Sequence, residues 1–376
     1  MDSLYIKNRL VALDWMRGLV MILMALDHAS AFYNPDRLAV DSAATYSYGI
    51  FLPLDQFLTR WITHLCAPTF IFLTGTSLAL SCRQRSRHGI SERIITRDIL
   101  IRGLIIAALD IILLSSLRTD GFLLQVLYAI GISMVAMAWL RRLNSRVLIV
   151  AAVLWFLGGE ALTRVWWVPL ESNPPLWVGL TMAPFYSKSV TIIYPVIPWL
   201  AVMLSGFVFG RYINHQPDLK QSSPSVINIL MNSSVLLLFV FVITRGVNGY
   251  GNMLLIRGDE TLAQWLHVSK YPPSLSYISL ELGLMAVFLS LFLWIARRIK
   301  PSISNPFLVF GQTALFFYIF HLAILGTPAL LFDLAGKGTL VSAYYAAFIS
   351  LMVLYPICLG YRRYKFSHPQ SWLRYI

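Results

Sequence analysis

Runs of about twenty apolar residues, the length a helix needs to cross a bilayer, follow one another from residue 11 to residue 360, with short polar stretches between them. In lipid the backbone must satisfy its own polar groups, and a run this long does so as a helix. The pattern predicts about ten spans, near residues 11–33, 59–82, 99–117, 122–140, 147–164, 190–212, 226–245, 275–296, 307–330 and 339–360. No polar stretch is long enough for a soluble domain, so residues 1–376 read as one all-α, polytopic transmembrane helical bundle. The first run has no A-x-A-type cleavage site, which predicts a retained helix in place of a signal peptide.

Charge adds direction to this picture. Of 376 residues 57% are hydrophobic and 12% charged, about half the charge of a soluble domain. The net charge of +13 is concentrated in one set of loops, which holds Arg83, Arg85, Arg87, Arg93 and Arg97, then Arg141, Arg142 and Arg146, then Arg297, Arg298 and Lys300, with Arg362, Arg363, Lys365 and Arg374 near the end. The alternating loops, Asn34–Leu58, Trp166–Ser189 and Gly246–Ser274, hold Trp, Pro and Tyr and few cations. The positive-inside rule puts the basic loops and both termini in the cytoplasm. The charge therefore reports topology and not a nucleic-acid partner. Cys66, Cys82 and Cys358 have neither metal-ligand spacing nor the look of a disulfide framework, and no metal is expected.

The chemistry begins inside the first span. Arg17 and His28 are eleven residues apart, which returns His28 to within about 20° of the Arg17 face, about 16 Å further along. Ionisable groups at membrane depth face a bundle interior or a wet cavity. Asp14 precedes Arg17 by three residues, a same-face spacing. The pair reads either as a snorkelling cation with its counter-ion or as a phosphate-binding fork. Asp27 and His28 close the first span, and His64 opens the second after a short loop, so the two histidines are expected to meet. Either could act as a general base, with Asp27 orienting it or offsetting its charge.

Asp110, Gln125, Glu160, Glu281, Gln312 and His321 lie in other spans, with Tyr318 three residues before His321. Each alone could be an interhelical hydrogen bond worth about 0.6–2 kcal/mol; together they predict a polar cavity. Arg245, Asn248 and Lys270 either line the acceptor side of that cavity or form an interfacial turn with snorkelling cations, and Tyr271 and His321 join them as acceptor-side candidates. No Gly-rich phosphate loop, His-x-x-x-His metal set or Gly-x-Ser-x-Gly elbow occurs, so nucleotide hydrolase, zinc protease and serine hydrolase readings have no support.

Four stretches together carry a resemblance. They are Leu13-Asp14-Trp-Met-Arg17-Gly18-Leu with Met24-Ala-Leu-Asp27-His28, then Thr63-His64-Leu-Cys-Ala-Pro68-Thr-Phe-Ile-Phe-Leu-Thr-Gly75-Thr76, then Lys270-Tyr271-Pro272-Pro273-Ser274-Leu, and Phe316-Phe-Tyr318-Ile-Phe-His321. From residue 9 to about residue 325 the chain resembles the heparan-α-glucosaminide N-acetyltransferase-like catalytic-domain family. The Arg17–His28 spacing is also similar to that of the bacterial membrane O-acyltransferases. The resemblance implies a multi-pass acyltransferase of a bacterial plasma (inner) membrane, in contact with membrane lipids and with a homodimer as its suggested assembly. Its co-substrate would be cytosolic acyl-CoA, acetyl-CoA in the first place. Its acceptor would be a hydroxyl or amine of a glycan-type or other small molecule on the outer face. Arg17, with Asp14 beside it, would hold the CoA phosphates; His28 matches the motif histidine of the bacterial members, and Asp27 or His64 would tune it or, for His64, replace it. The alternative is a transporter or flippase for an anionic lipid or sugar, which would also want intramembrane Arg, His and Asp. That alternative predicts neither the Arg17–His28 spacing nor the absence of a visible internal repeat.

Overall fold

A computed structural model describes residues 10–46, 48–115, 121–171, 173–215, 224–368 and 371. The chain opens with α1 (Val11–Tyr33), then α2 (Leu54–Ile62), which passes through one 3-10 turn (Thr63–Leu65) into α3 (Cys66–Arg87). Next come α4 (Glu92–Ser115), β1 (Phe122–Leu124), α5 (Val126–Leu140), α6 (Ser145–Arg164), α7 (Leu176–Thr181), β2 (Phe185–Tyr186) and β3 (Val190–Ile192). The last part holds α8 (Val196–His215), α9 (Pro224–Val247), α10 (Leu262–Leu266), α11 (Leu275–Ala296), α12 (Pro306–Gln312), α13 (Ala314–Leu331) and α14 (Leu340–Ser367).

Among the described residues seven helical stretches are long and apolar enough to cross a membrane: α2 with α3, α6, α8, α9, α11, α13 and α14. Two further expected spans are helices of ample length, α1 with 23 residues and α4 with 24. They fall outside the seven because α1 carries Asp14, Arg17 and Asp27, and α4 carries Glu92, Arg93, Arg97, Asp98, Arg102 and Asp110. The run expected at 122–140 is shorter than predicted, since Phe122–Leu124 is a strand and only the 15 residues of α5 are helical. The run at 190–212 likewise starts as strand β3 before α8 begins. β1 pairs in parallel with β3, and β2 pairs with β3 antiparallel, giving the order β1-β3-β2. The expected span 307–330 is divided at Thr313, whose φ of −118° and ψ of 24° take it out of the helix. The Asn305 side chain caps the first piece by accepting from the Leu308 N–H at 3.2 Å.

α1 is the spine. Ala12, Leu13, Met16, Val20, Met21, Met24 and Ala25 are all buried against its neighbours. The divided helix runs beside it in the same direction, because Gln312 meets Asp14 near one end and His321 meets His28 near the other. The backbones are in contact there: a Cβ on Gly311 would lie 1.8 Å from the Asp14 carbonyl oxygen, and one on Gly18 would lie 2.0 Å from that of Phe307. α3 and α8 close up in the same way through Gly206 and Gly210, four residues apart on α8, the small-residue spacing that lets membrane helices touch. Thr76 Oγ1 donates across that contact to the Gly206 carbonyl at 3.0 Å. The outer helices α6, α9 and α14 instead turn broad apolar faces outward, as with Leu154 and Leu157, Val235 and Phe239, and Tyr345 and Phe348. Acyl chains would solvate such faces at no hydrophobic cost.

Gly206→Val would drive a branched side chain into the Phe72 carbonyl, 2.0 Å from the new Cβ. The expected result in a thermal unfolding series in detergent is a loss of about 1–3 kcal/mol or more. Val235→Ala on the exposed face of α9 should change stability by no more than about 0.5 kcal/mol.

Candidate active site

At one end of α1 two histidines meet, but they are not the pair expected from the sequence. His28 Nδ1 lies 2.6 Å from His321 Nε2, with the rings stacked 4.9 Å apart. His321 Nδ1 lies 3.1 Å from the Phe317 carbonyl oxygen. A carbonyl only accepts, so His321 carries its proton on Nδ1, and in the neutral pair its Nε2 must accept from His28 Nδ1–H. This leaves the lone pair of His28 on Nε2. His28 is half-buried while His321 is fully buried, so the ring with the free lone pair is also the accessible one. Tyr318 stands edge-on to both rings, and its hydroxyl is buried without a hydrogen-bond partner among the described residues.

Asp27, next to His28, is turned to other partners. One of its oxygens accepts from Arg60 at 2.6 Å and from Arg37 at 2.9 Å. Arg60 also donates through Nε to Asp41 Oδ2 at 2.7 Å. His64 sits beside this network, 1% exposed, with Nε2 3.3 Å from Asp41 Oδ1 and no ring nitrogen in hydrogen-bond geometry among the described residues. The carbonyl of Asp41 accepts from the backbone N–H of Lys270 at 2.8 Å and of Tyr271 at 3.2 Å, and Ser42 Oγ donates to the Tyr271 carbonyl. The Tyr271 hydroxyl lies 3.5 Å from Arg60 and 3.4 Å from Tyr194. Asp41 thus ties the loop after α1 to the loop before α11. Burial alone would raise its carboxyl, but the charge of Arg60 and the neighbouring His64 hold it well below the usual carboxylate range.

The opposite end of α1 is organised around Asp14. Its carboxylate accepts from Arg17 at 2.8 Å and from Gln312 Nε2 at 3.2 Å. Gln312 in turn accepts from Arg362 at 3.4 Å, and Arg362 donates to the Ile303 carbonyl at 2.8 Å. Arg17 reaches α3 through the Leu73 carbonyl at 3.4 Å and the Ser77 hydroxyl, and stays partly open to solvent. Arg102 on α4 is exposed and within electrostatic reach of Arg17. This end brings Arg17, paired with Asp14, near the exposed guanidinium of Arg102.

Arg245 and Asn248 lie outside both clusters. Arg245 is 0% exposed, and it donates to Asn252 Oδ1 and to the carbonyls of Trp265, Leu255 and Gln264 at 2.5–3.1 Å. Asn248, at a φ of 51°, bonds the backbone of Arg257 in both directions. Both hold the shape of the loop between α9 and α11. Two intramembrane acids have similar work. Asp110 accepts the backbone N–H groups of Gln125 and Tyr128 at the start of α5, and Glu160 accepts those of Gly251 and Met253. The site residues that sequence reasoning missed are Arg37, Asp41 and Tyr194, which sit in connecting segments with no hydrophobic period to mark their direction, and Arg102 on α4.

Arg245→Ala should act on stability, because it strips three carbonyls, two of them fully buried, of their charged donor; the expected loss is about 3 kcal/mol or more, read as a fall in unfolding midpoint. An intact midpoint with lost ligand binding would refute that structural role. Asp41 contributes stability that is fully present above its unfolded value of about 4 and is lost as pH falls through its lower folded value. The wild type should therefore lose midpoint only below about pH 4 through this group, and Asp41→Asn should already be destabilised at neutral pH.

The sequence model of the family described as heparan-alpha-glucosaminide N-acetyltransferase, catalytic, matches residues 9–244. Arg17, His28, Asp41, Arg60 and His64 lie within that stretch, and Lys270 and His321 lie beyond it. Among curated proteins no match to the chain is found. With more than half of its length covered, the chain belongs to the heparan-alpha-glucosaminide N-acetyltransferase catalytic-domain family.

Proposed function

We propose that this protein is a membrane acyltransferase that moves an acyl group, acetyl in the first place, from cytosolic acyl-CoA to a hydroxyl or amine of a glycan-type acceptor on the outer face. In this reading the bundle has about ten spans with both termini in the cytoplasm of a bacterial cell, as the basic loops favour. The Asp14–Arg17 end then faces the cytosol, where Arg17 and Arg102 would meet the CoA phosphates. A planar, permanently charged fork suits that task.

The observation that carries the reading is the His28–His321 pair, with its free Nε2 lone pair at the accessible ring. His28 Nε2 takes the proton of the acceptor hydroxyl or amine as that atom attacks the thioester carbonyl carbon. The C–S bond breaks, and the thiolate of CoA leaves with the proton that His28 returns. Meanwhile His28 Nδ1–H stays bonded to His321 Nε2, which fixes the ring and shares the charge that develops on it. His64, buried beside Asp41, fits a role in holding that carboxylate better than a role as base.

The test is acetyl-CoA binding and turnover by the purified full-length protein in detergent. Wild type should bind and hydrolyse acetyl-CoA slowly. His28→Ala should bind it and lose turnover by about 10²–10⁴-fold, and His321→Ala should lose less. Arg17→Ala should weaken binding by about tenfold or more. His64→Gln should lower the unfolding midpoint and keep most of the turnover. A wild-type protein with no affinity for acetyl-CoA, or a His28→Ala variant as active as wild type, would sink the proposal.

A further inference from the structure

The His28 end of the bundle holds three cations, Arg37, Arg60 and Lys270, and two carboxylates, Asp27 and Asp41. Arg37 and Arg60 are taken up by the two acids. Lys270 is not. It is 3% exposed, its backbone is pinned to Asp41, and its ammonium makes no hydrogen bond and no ion pair among the described residues. What faces it is the Tyr271 ring, 5.4 Å from Nζ. An aromatic face gives a cation about 0.5–2 kcal/mol, whereas taking an ammonium out of water costs several kcal/mol. Asp27, Asp41 and Glu281 are within electrostatic reach of the ammonium, but none of them makes an ion pair with it among the described residues. The ammonium is also within reach of His28 and Asp27, both half-buried, so it sits beside the accessible part of the site.

We infer that Lys270 is an anion receptor, and that the molecule entering at the His28 end carries a negative charge, a carboxylate or a phosphate, close to the group that His28 deprotonates. A compact ammonium on a flexible stem suits either kind of anion. Lys270 would then select the acceptor by charge while His28 acts on its hydroxyl or amine. The second half of this statement rests on the acyl-transfer reading; the anion site does not.

The experiment is isothermal titration of the purified full-length protein in uncharged detergent with three probes: methyl glucuronide, glucose 6-phosphate and methyl glucoside. Wild type should prefer one or both charged sugars over the glucoside by about ten- to a hundredfold, the range of one hydrogen bond to a charged group. Lys270→Gln should bring the probes to parity, and Lys270→Arg should keep the preference. The charged sugar that binds more tightly tells carboxylate from phosphate, and inorganic phosphate as a fourth probe tells whether the sugar contributes. Equal binding of all three sugars, no binding of any, or a preference that survives Lys270→Gln overturns the inference. A preference seen only in Glu281→Gln also overturns it, because Glu281 would then be the native counter-ion. Should Lys270→Gln fail to fold, the wild-type and Lys270→Arg comparisons still decide. Acetyl-CoA turnover in the same preparation separates the two readings: charge selection without turnover keeps the anion site and removes acyl transfer.

Discussion

Arg60 is 5% exposed, and a guanidinium at that depth requires carboxylates. It has two, Asp27 at the end of α1 and Asp41 in the following loop. Breaking such a pair by removing one partner strands a buried charge and costs about 3–5 kcal/mol, so the three residues come as a unit. Through the backbone of Asp41 the unit extends to Lys270 and Tyr271, and through Arg37 back to the loop itself. Two long loops with little regular structure are thereby held over the end of the bundle. The position of His28, one residue beyond Asp27, follows from this.

The other support is the close approach of α1 to the divided helix. Gly18 and Gly311 remove the side chains that would keep the backbones apart. The break at Thr313 separates α12, whose Gln312 turns to Asp14, from α13, whose His321 turns to His28. One pair of neighbouring helices therefore contributes to both clusters, the guanidinium end at Asp14 and Arg17 and the imidazole end at His28 and His321.

Several ionisable groups at membrane depth serve the backbone. Asp110 and Glu160 satisfy backbone N–H groups where α5 begins and where the loop after α9 turns. Arg245 does the same for carbonyls. In lipid an unsatisfied backbone group is as costly as a misplaced side chain, so irregular backbone near the membrane recruits its own polar partners. Lys270 differs from these residues in that its ammonium makes no hydrogen bond and no ion pair among the described residues, and faces only the Tyr271 ring.

The long apolar runs by themselves determined that this is a helical membrane protein, because bilayer thickness sets the length of a run and lipid forbids exposed backbone. The four motifs also pointed to the family, and the Arg17–His28 spacing put both residues on one helix. Helical period fixes which residues share a face of one helix, and Arg17 and His28 are on one helix. It says nothing about contacts between distant segments, and the rest of the site is built from these. His28 and His321 are 293 positions apart, so their pairing, and with it the tautomer that frees Nε2, is decided by the packing of α13 on α1. The same holds for Asp41 and Arg37, which lie in a loop where no period gives them a direction. Arg245 and Asn248 read as site residues from their types and location, and only the folded loop revealed that their hydrogen bonds are already made. Where a run is short or broken, as at 122–140 and at Thr313, hydropathy cannot tell strand or kink from helix, since all three are apolar there; the tertiary structure decided these by where each backbone group found its partner.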